Sequence, residues 1–508
     1  MKIKIAVIIA CLVGFVSISM EIIWFSIVGF LFQGHAGIFG IVLFLILFGI
    51  ALGARFVYKK IKKYNNKQVI RLISNALLLG GIINFTGLPL TAWLMTFHIA
   101  FGVLIFLNIV VISGLLGCIF PMLCHLTVSS TEQKVGQQTS WIYASNIIGA
   151  TSGPLITGYV LIDYFSMQAI ITAFCIIPIL LSFLLRIPDF KIKPDGKYVF
   201  SGVLLIVLAL LGHPLLYNRF LEEIHFNTAY TKNKKFEYIV QNKSGIITVE
   251  KTSKGDVFYG GGAYDGAINT NLLNPVNIIS RAYMVAALHP APSRVLMIGL
   301  STGSWAKVLA DFSKIKELVI IEINPGYIKL IQKYPEVSDI LHNKKVRIVI
   351  DDGRRWLKMN DHEKFDLIVM NTSFHWRENI TNLLSKDFLL MCKSSLNPNG
   401  VMYWNTTSSP DVINTACNVF IYVTTYINFV AASDTPFNMK AEEKKKAFLE
   451  FIRNGEHVFK QNDSTLALLD KYSTTPLPDI RDSILKKNLW VITDNNMATE
   501  YKVRVWKK

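Results

Sequence analysis

The apolar character of the first 216 residues constrains this chain more than any other feature. Seven stretches, at about residues 5–31, 37–57, 69–90, 92–123, 141–161, 167–185 and 198–216, run almost without charge. Each is near the roughly 20 residues that a hydrocarbon core demands. The first is too long for a cleaved signal peptide, and Glu21 interrupts it. These stretches predict a transmembrane bundle of about seven helices within residues 1–217, with the lipid bilayer as its partner. Over all 508 residues, 52% are hydrophobic, and the sequence after residue 217 reads as globular.

The formal charge of +17 divides into +9 up to Tyr217 and +8 beyond it. Basic residues beside apolar spans set topology and attract anionic lipid. No arginine-rich run carries interleaved aromatics, so nucleic acid is not an expected partner. Lys59, Lys60, Lys62, Lys63 and Lys67 follow the second stretch, and Arg186, Lys191, Lys193 and Lys197 follow the sixth. Both loops are expected in the cytoplasm, together with Lys2 and Lys4. The six cysteines form no Cys-x-x-Cys pair, so neither a disulfide framework nor a metal site is expected. Gly149 and Gly153 have the spacing that lets helices pack closely. Glu21, an ionisable group within a span, is expected to face the bundle interior with Asn146 as its partner.

The globular part has a different grammar. Val295-Leu296-Met297-Ile298 reads as a buried parallel strand, Gly299-Leu300-Ser301-Thr302-Gly303-Ser304 as a turn, and Trp305–Phe312 as a helix. Glycines let a backbone approach a ligand closely, and the free N–H groups of a helix start favour a polar or anionic group. A second apolar run, Leu318–Ile321, ends at Glu322, nineteen residues past Gly303. A carboxylate there can accept both hydroxyl hydrogens of a ribose. A third, Val346–Ile350, ends in Asp351-Asp352-Gly353, where Asp352 can accept from an adenine amino group. All three lie at carboxyl ends of strands, where open α/β sheets bind ligands. Ser304 and Trp305 stand where a strict dinucleotide fingerprint has further glycines, which favours an adenosyl sulfonium over NAD.

Leu288-His289-Pro290, Ile298-Gly299-Leu300-Ser301-Thr302-Gly303, Val319-Ile320-Ile321-Glu322-Ile323-Asn324-Pro325 and Asp352-Gly353-Arg354-Arg355 together resemble the spermidine synthase (polyamine aminopropyltransferase) family, in its bacterial membrane-fused branch. The resemblance implies a small β-strand domain over residues 218–288 and a Rossmann-like, methyltransferase-type catalytic domain over 289–508. It also implies S-adenosylmethionine or its decarboxylated form as co-substrate, held by Gly299, Ser301, Thr302, Gly303, Glu322, Asp352, Gly353 and Asn371. No metal is implied. Tyr264 and Asp265 fall in the domain that roofs the site in this family, although Asp265-Gly266 taken alone reads as a turn. Tyr283 stands near a tyrosine that contacts substrate in the family, and Met284 replaces the histidine that commonly follows it. Two copies commonly pair in such relatives.

The departures from the family pattern are chemical. The fourth strand, Phe365–Met370, normally ends in two aspartates that handle the amine, and the aligned positions here are Asn371 and Phe374. Thr302 takes the place of an aspartate for the donor's amino group. An attacking amine must be uncharged, and a carboxylate beside it can take its proton; Asn371 can only orient it. His375 can supply the missing base, Trp376 can stack on adenine or cover a cation, and Arg377 can grip a carboxylate.

Family resemblance favours aminopropyl transfer to a small amine. The missing acids favour intact S-adenosylmethionine, with methyl transfer or a cleavage reaction, and a non-catalytic carrier or sensor fits the same binding residues. Seven crossings from a cytoplasmic start would put the catalytic half outside, whereas supply of the co-substrate favours the cytoplasm.

Overall fold

The computed structural model describes residues 3–97, 102–128, 132–186 and 196–502. Lys2, Lys191 and Lys193, on which part of the loop-charge argument rests, lie outside them. The chain forms two compact units. One comprises Met1–Phe32, Gly37–Lys235 and Gln241–Lys243, and the other Gln33–Ala36, Phe236–Val240 and Ser244–Lys508.

In the first unit, six helices of the described residues are long and apolar enough to cross a membrane: Ile3–Leu31, Ile38–Ile61, Asn66–Met95, Val103–Thr127, Met167–Leu185 and Phe200–Ala229. The other expected span, residues 141–161, is also helical but does not reach that apolarity. It belongs to the helix Glu132–Ile156, whose early turns carry Gln137, Gln138, Thr139 and Ser140 and whose middle carries Ser145 and Asn146. Pro154 cannot donate a backbone N–H, and the wider π turn Thr157–Leu161 follows it.

Close helix packing at Gly149 and Gly153 has a clear cause. A Cβ on Gly149 would lie 1.9 Å from the Cys11 carbonyl oxygen, and one on Gly153 would lie 2.5 Å from that of Phe15. Ser145 donates to the Val7 carbonyl, so both helices advance in the same direction past each other. The expected Glu21–Asn146 pair does not form, because the Asn146 carbonyl oxygen faces Gly14, seven residues and thus about 10 Å of helical rise away from Glu21.

The second unit opens with an antiparallel meander of β1 (Phe236–Asn242), β2 (Gly245–Thr252), β3 (Gly255–Gly260) and β4 (Ala263–Ala267). Asp265-Gly266, read above as a turn, is part of β4, where Gly266 pairs with Phe258. A second sheet has the order β10-β11-β9-β8-β5-β6-β7. Its strands are β5 (Arg294–Ile298), β6 (Glu317–Glu322), β7 (Val346–Ile350), β8 (Phe365–Met370), β9 (Leu396–Asn405), β10 (Tyr422–Tyr426) and β11 (Phe429–Ser433).

β5 to β9 run parallel, while β11 joins β9 and β10 antiparallel. Alternation fills both faces of this sheet: Val295, Met297, Leu318 and Ile320 enter one core, and Leu296, Ile298, Val319 and Ile321 the other. The chain leaves β5 toward β6 and β7, then returns to β8 and β9 on the other side. That reversal makes the tip of β5 the switch point at which such sheets open a ligand crevice. The charged helix Ala441–Phe448 buries Lys444, Ala447 and Phe448.

Candidate active site

The glycine turn at the tip of β5 is held in a conformation that its sequence dictates. Gly299 and Gly303 have φ of +90° and +76°, and Ser301 between them takes +48°, a region costly for a residue with a Cβ. The Gly299 N–H binds the Ile321 carbonyl and that of Gly303 binds Leu300. Ser301 Oγ donates to the backbone oxygen of Asp265, 3.1 Å away, which ties β4 over the turn. The Thr302 hydroxyl is engaged by Ser304 Oγ at 2.9 Å, so Thr302 shapes the turn with a side chain that is only 2% exposed.

Glu322 lies at the end of β6 with 4% exposure. Its two carboxyl oxygens accept from the N–H groups of Leu300 (2.7 Å) and Asn324 (2.8 Å), and the Ser301 N–H also bonds to this carboxylate. Burial raises its pKa to about 7; the Leu300 and Asn324 N–H groups pull it down, and the charge of Asp265 pushes it further up. Asp265 accepts from the Tyr327 hydroxyl at 2.6 Å. β6 and β7 pair up to Glu322 and Ile350, and the Asp351 N–H binds the Glu322 carbonyl, so the Glu322 and Asp352 tips are neighbours. Asp352 is exposed and caps the helix Gly353–Met359, accepting from the Arg355 N–H at 2.7 Å. Gly353 is needed for packing, since a Cβ there would lie 2.7 Å from Ile298.

Asn371 follows β8, and its carbonyl oxygen lies 3.7 Å from where a Cβ on Gly299 would be. The loop beyond it is tightly organised. His375 is 8% exposed, its Nδ1 lies 2.8 Å from Thr407 Oγ1 and 3.2 Å from the Thr407 carbonyl oxygen, and burial lowers its pKa, which favours the uncharged ring. Trp376 stacks on Phe374 and His35, with ring centroids 5.1 and 6.1 Å apart, and is therefore already engaged with two rings. Arg377 Nη1 donates to Ser373 at 2.9 Å. Gly34 and Gly261 make room for the guanidinium; a Cβ on either would lie 3.2 and 2.9 Å from it. Arg377 Nε is buried with no partner among the described residues.

The expected site residues thus divide. Gly299, Ser301, Thr302, Gly303, Glu322, Asp265 and Asn371 gather around the β5 tip, with Asp352 beside Glu322. Tyr264 is 42% exposed and its hydroxyl lies 3.4 Å from Asn277 Oδ1. Tyr283 is not available as a substrate contact. It is fully buried against Phe451 and Phe459, its hydroxyl donates to Thr270 O at 2.9 Å, and Arg453 donates to it.

Three residues not singled out in the sequence are hydrogen-bonded together next to this turn: Asn277, Arg281 and Asn428. A signal for one existed, because Arg281 is the only Asp, Glu, Lys or Arg between Asp265 and Arg294.

Residues 281–436 match the Spermine/spermidine synthase domain family. The polyamine aminopropyltransferase of Agathobacter rectalis is 29% identical over 119 residues, 23% of this chain and 41% of that protein. That of Prochlorococcus marinus is 26% identical over 212 residues, 38% of this chain and 71% of that protein. Polyamine aminopropyltransferase 2 of Hyperthermus butylicus is 27% identical over 217 residues, covering 37% and 69%. The chain therefore spans about two fifths of the first of these relatives and more of the other two. Among solved structures, a spermidine synthase in complex with the transition state analogue AdoDATO aligns with TM-score 0.38 and 17% identity over 50% of this chain and 87% of that one. The spermidine synthase from Thermotoga maritima gives 0.38 and 18% over the same shares.

Proposed function

We propose, from the premise that residues 281–436 form a spermine/spermidine synthase domain, that this chain is a membrane-integral transferase that moves an aminopropyl group from decarboxylated S-adenosylmethionine to a small amine. The observation that carries this reading is the meeting of the glycine turn, the buried Glu322 and the Asp265 segment of β4 at one strand tip. Glu322 offers the acceptor positions left by these backbone N–H groups to the ribose hydroxyls. Asp352 offers its second carboxyl oxygen to the adenine amino group, and Gly299 and Ser301 line the path of the sulfonium chain. Six apolar helices anchor the domain in a bilayer.

In the reaction, the lone pair of the acceptor amine attacks the propyl carbon bonded to sulfur. The C–S bond breaks with its electrons going to sulfur, 5′-methylthioadenosine leaves as a neutral thioether, and the new ammonium sheds a proton. Asn371 orients the amine by accepting one of its N–H hydrogens. His375, whose Nδ1–H donates to the Thr407 carbonyl oxygen, keeps Nε2 as the nitrogen able to take the proton.

Detergent-purified full-length protein incubated with decarboxylated S-adenosylmethionine and a panel of amines tests the reading. Release of 5′-methylthioadenosine together with an aminopropylated amine, seen by mass spectrometry, is the expected result. S-adenosylhomocysteine formed from intact S-adenosylmethionine, or no product with either co-substrate, contradicts it.

A further inference from the structure

Arg281 is the buried cation of this region and it has no anion. It is 7% exposed, and among the described residues no carboxylate pairs with it, although an unpaired buried charge is costly. Its N–H groups are held by neutral acceptors: Nη2 by the Asn277 carbonyl at 2.6 Å, Nε by the Ile278 carbonyl at 3.1 Å, and Nη1 by Asn428 Oδ1 at 2.9 Å. The guanidinium carbon sits 5.0 Å from the Phe429 ring centroid. Of its five N–H groups, two remain uncommitted.

Both carriers of this arginine lead to the site. The Asn277 side chain donates to Ala267 O at 3.2 Å, and at Gly266 a Cβ would meet Thr302, Asn277 and Ser301 within 3.2 to 3.4 Å. Asn428 donates to Asn405 at 3.0 Å, and Asn405 donates at 3.2 Å to the carbonyl of Thr372, the residue after Asn371. Arg281 is therefore pinned between the glycine turn and the β8 tip. Two further buried polar groups of the same cluster have no hydrogen-bond partner among the described residues, the Tyr403 hydroxyl and Trp305 Nε1. The Trp305 and Tyr403 rings are both 4.9 Å from that of Phe429. A pocket for a diamine needs the opposite lining, acids around each ammonium.

We propose that Arg281 is a specificity-determining residue of this site and that one of the two ligands taken there carries a carboxylate, which the free N–H groups of Arg281 bind. The inference rests on the adenosyl reading above. The carboxylate belongs either to an amine acceptor that is also an acid, which keeps the decarboxylated donor of that reading, or to the amino-acid tail of intact S-adenosylmethionine, which would replace that donor.

Calorimetry on the full-length protein separates these cases. 5′-Methylthioadenosine, which has neither amine nor carboxylate, reports the nucleoside site alone. One arm compares S-adenosylmethionine with its decarboxylated form. The other compares γ-aminobutyrate with putrescine in the presence of 5′-methylthioadenosine. The expected result is tighter binding of the carboxylate-bearing member in one arm, by roughly tenfold or more for a charge-assisted pair. That preference should vanish in Arg281→Gln and shrink in Arg281→Lys, with 5′-methylthioadenosine affinity unchanged. A wild-type protein with no such preference in either arm overturns the proposal before any variant is made, as does a preference that survives Arg281→Gln. Failure of 5′-methylthioadenosine itself to bind removes the adenosyl reading, and this inference with it.

Discussion

Two halves of one sheet edge differ in charge. At the tips of β6 and β7 stand Glu322, Asp351 and Asp352, while the tips of β8 and β9 carry Asn371 and Asn405, with Asn428 and Arg281 hydrogen-bonded nearby. The first half keeps what a ribose and an adenine need, acceptors aimed from rigid strand ends. The second half has amides and a guanidinium where an amine-handling site needs acids. On the proposed function, nucleoside recognition and acceptor recognition are therefore separable, and substitutions in one half should leave the other intact.

The largest effect is expected from Glu322→Gln. Losing two charge-assisted hydrogen bonds at roughly 1.5 kcal/mol each should weaken 5′-methylthioadenosine binding about 100-fold by calorimetry. An unchanged affinity would remove Glu322 from the site and erase the distinction between the halves. A pH series sharpens the same point. Ribose hydroxyls donate to the ionised carboxylate, so with a pKa of about 7 in the free protein affinity should rise about tenfold from pH 6 to pH 8. Glu322→Gln should flatten that slope.

A smaller effect is expected at the neighbouring tip. Asp352→Asn keeps a helix cap but loses an adenine acceptor, and affinity should fall several-fold, in line with about 1 kcal/mol for one hydrogen bond. Asp352→Ala should also lower thermal stability by about 1 kcal/mol through the lost cap. Least of all, Tyr283→Phe should cost about 1 kcal/mol of stability through its buried hydroxyl and leave ligand affinity alone. A loss of affinity there would join the core to the site and blur the comparison.

Much of the nucleoside half is legible in the sequence, because strand, turn and carboxylate follow one another within Val295–Asp352 and their order dictates their position. β5 to β8 appear where apolar runs place them. The acceptor half is assembled from distant segments: Asn277, Arg281, Asn405 and Asn428 come together through hydrogen bonds spanning up to 147 residues, and no local pattern announces such contacts. Asp265-Gly266 misleads for a related reason. The pair has turn-forming chemistry, but pairing of β4 with β3 overrides it. Tyr283 sits where likeness to a family predicts a ligand contact, yet Phe451 and Phe459 enclose it and Arg453 claims its oxygen. In the first unit, composition identifies six helices directly, while the fifth stretch mixes polar residues into a helix that packs along the first.

An experimental structure of the full-length protein with bound 5′-methylthioadenosine tests the central claim most directly. The account predicts both ribose hydroxyls within hydrogen-bonding distance of the Glu322 carboxylate and the adenine amino group against Asp352. A nucleoside seated elsewhere, or Glu322 still bound only by backbone N–H groups, would contradict it.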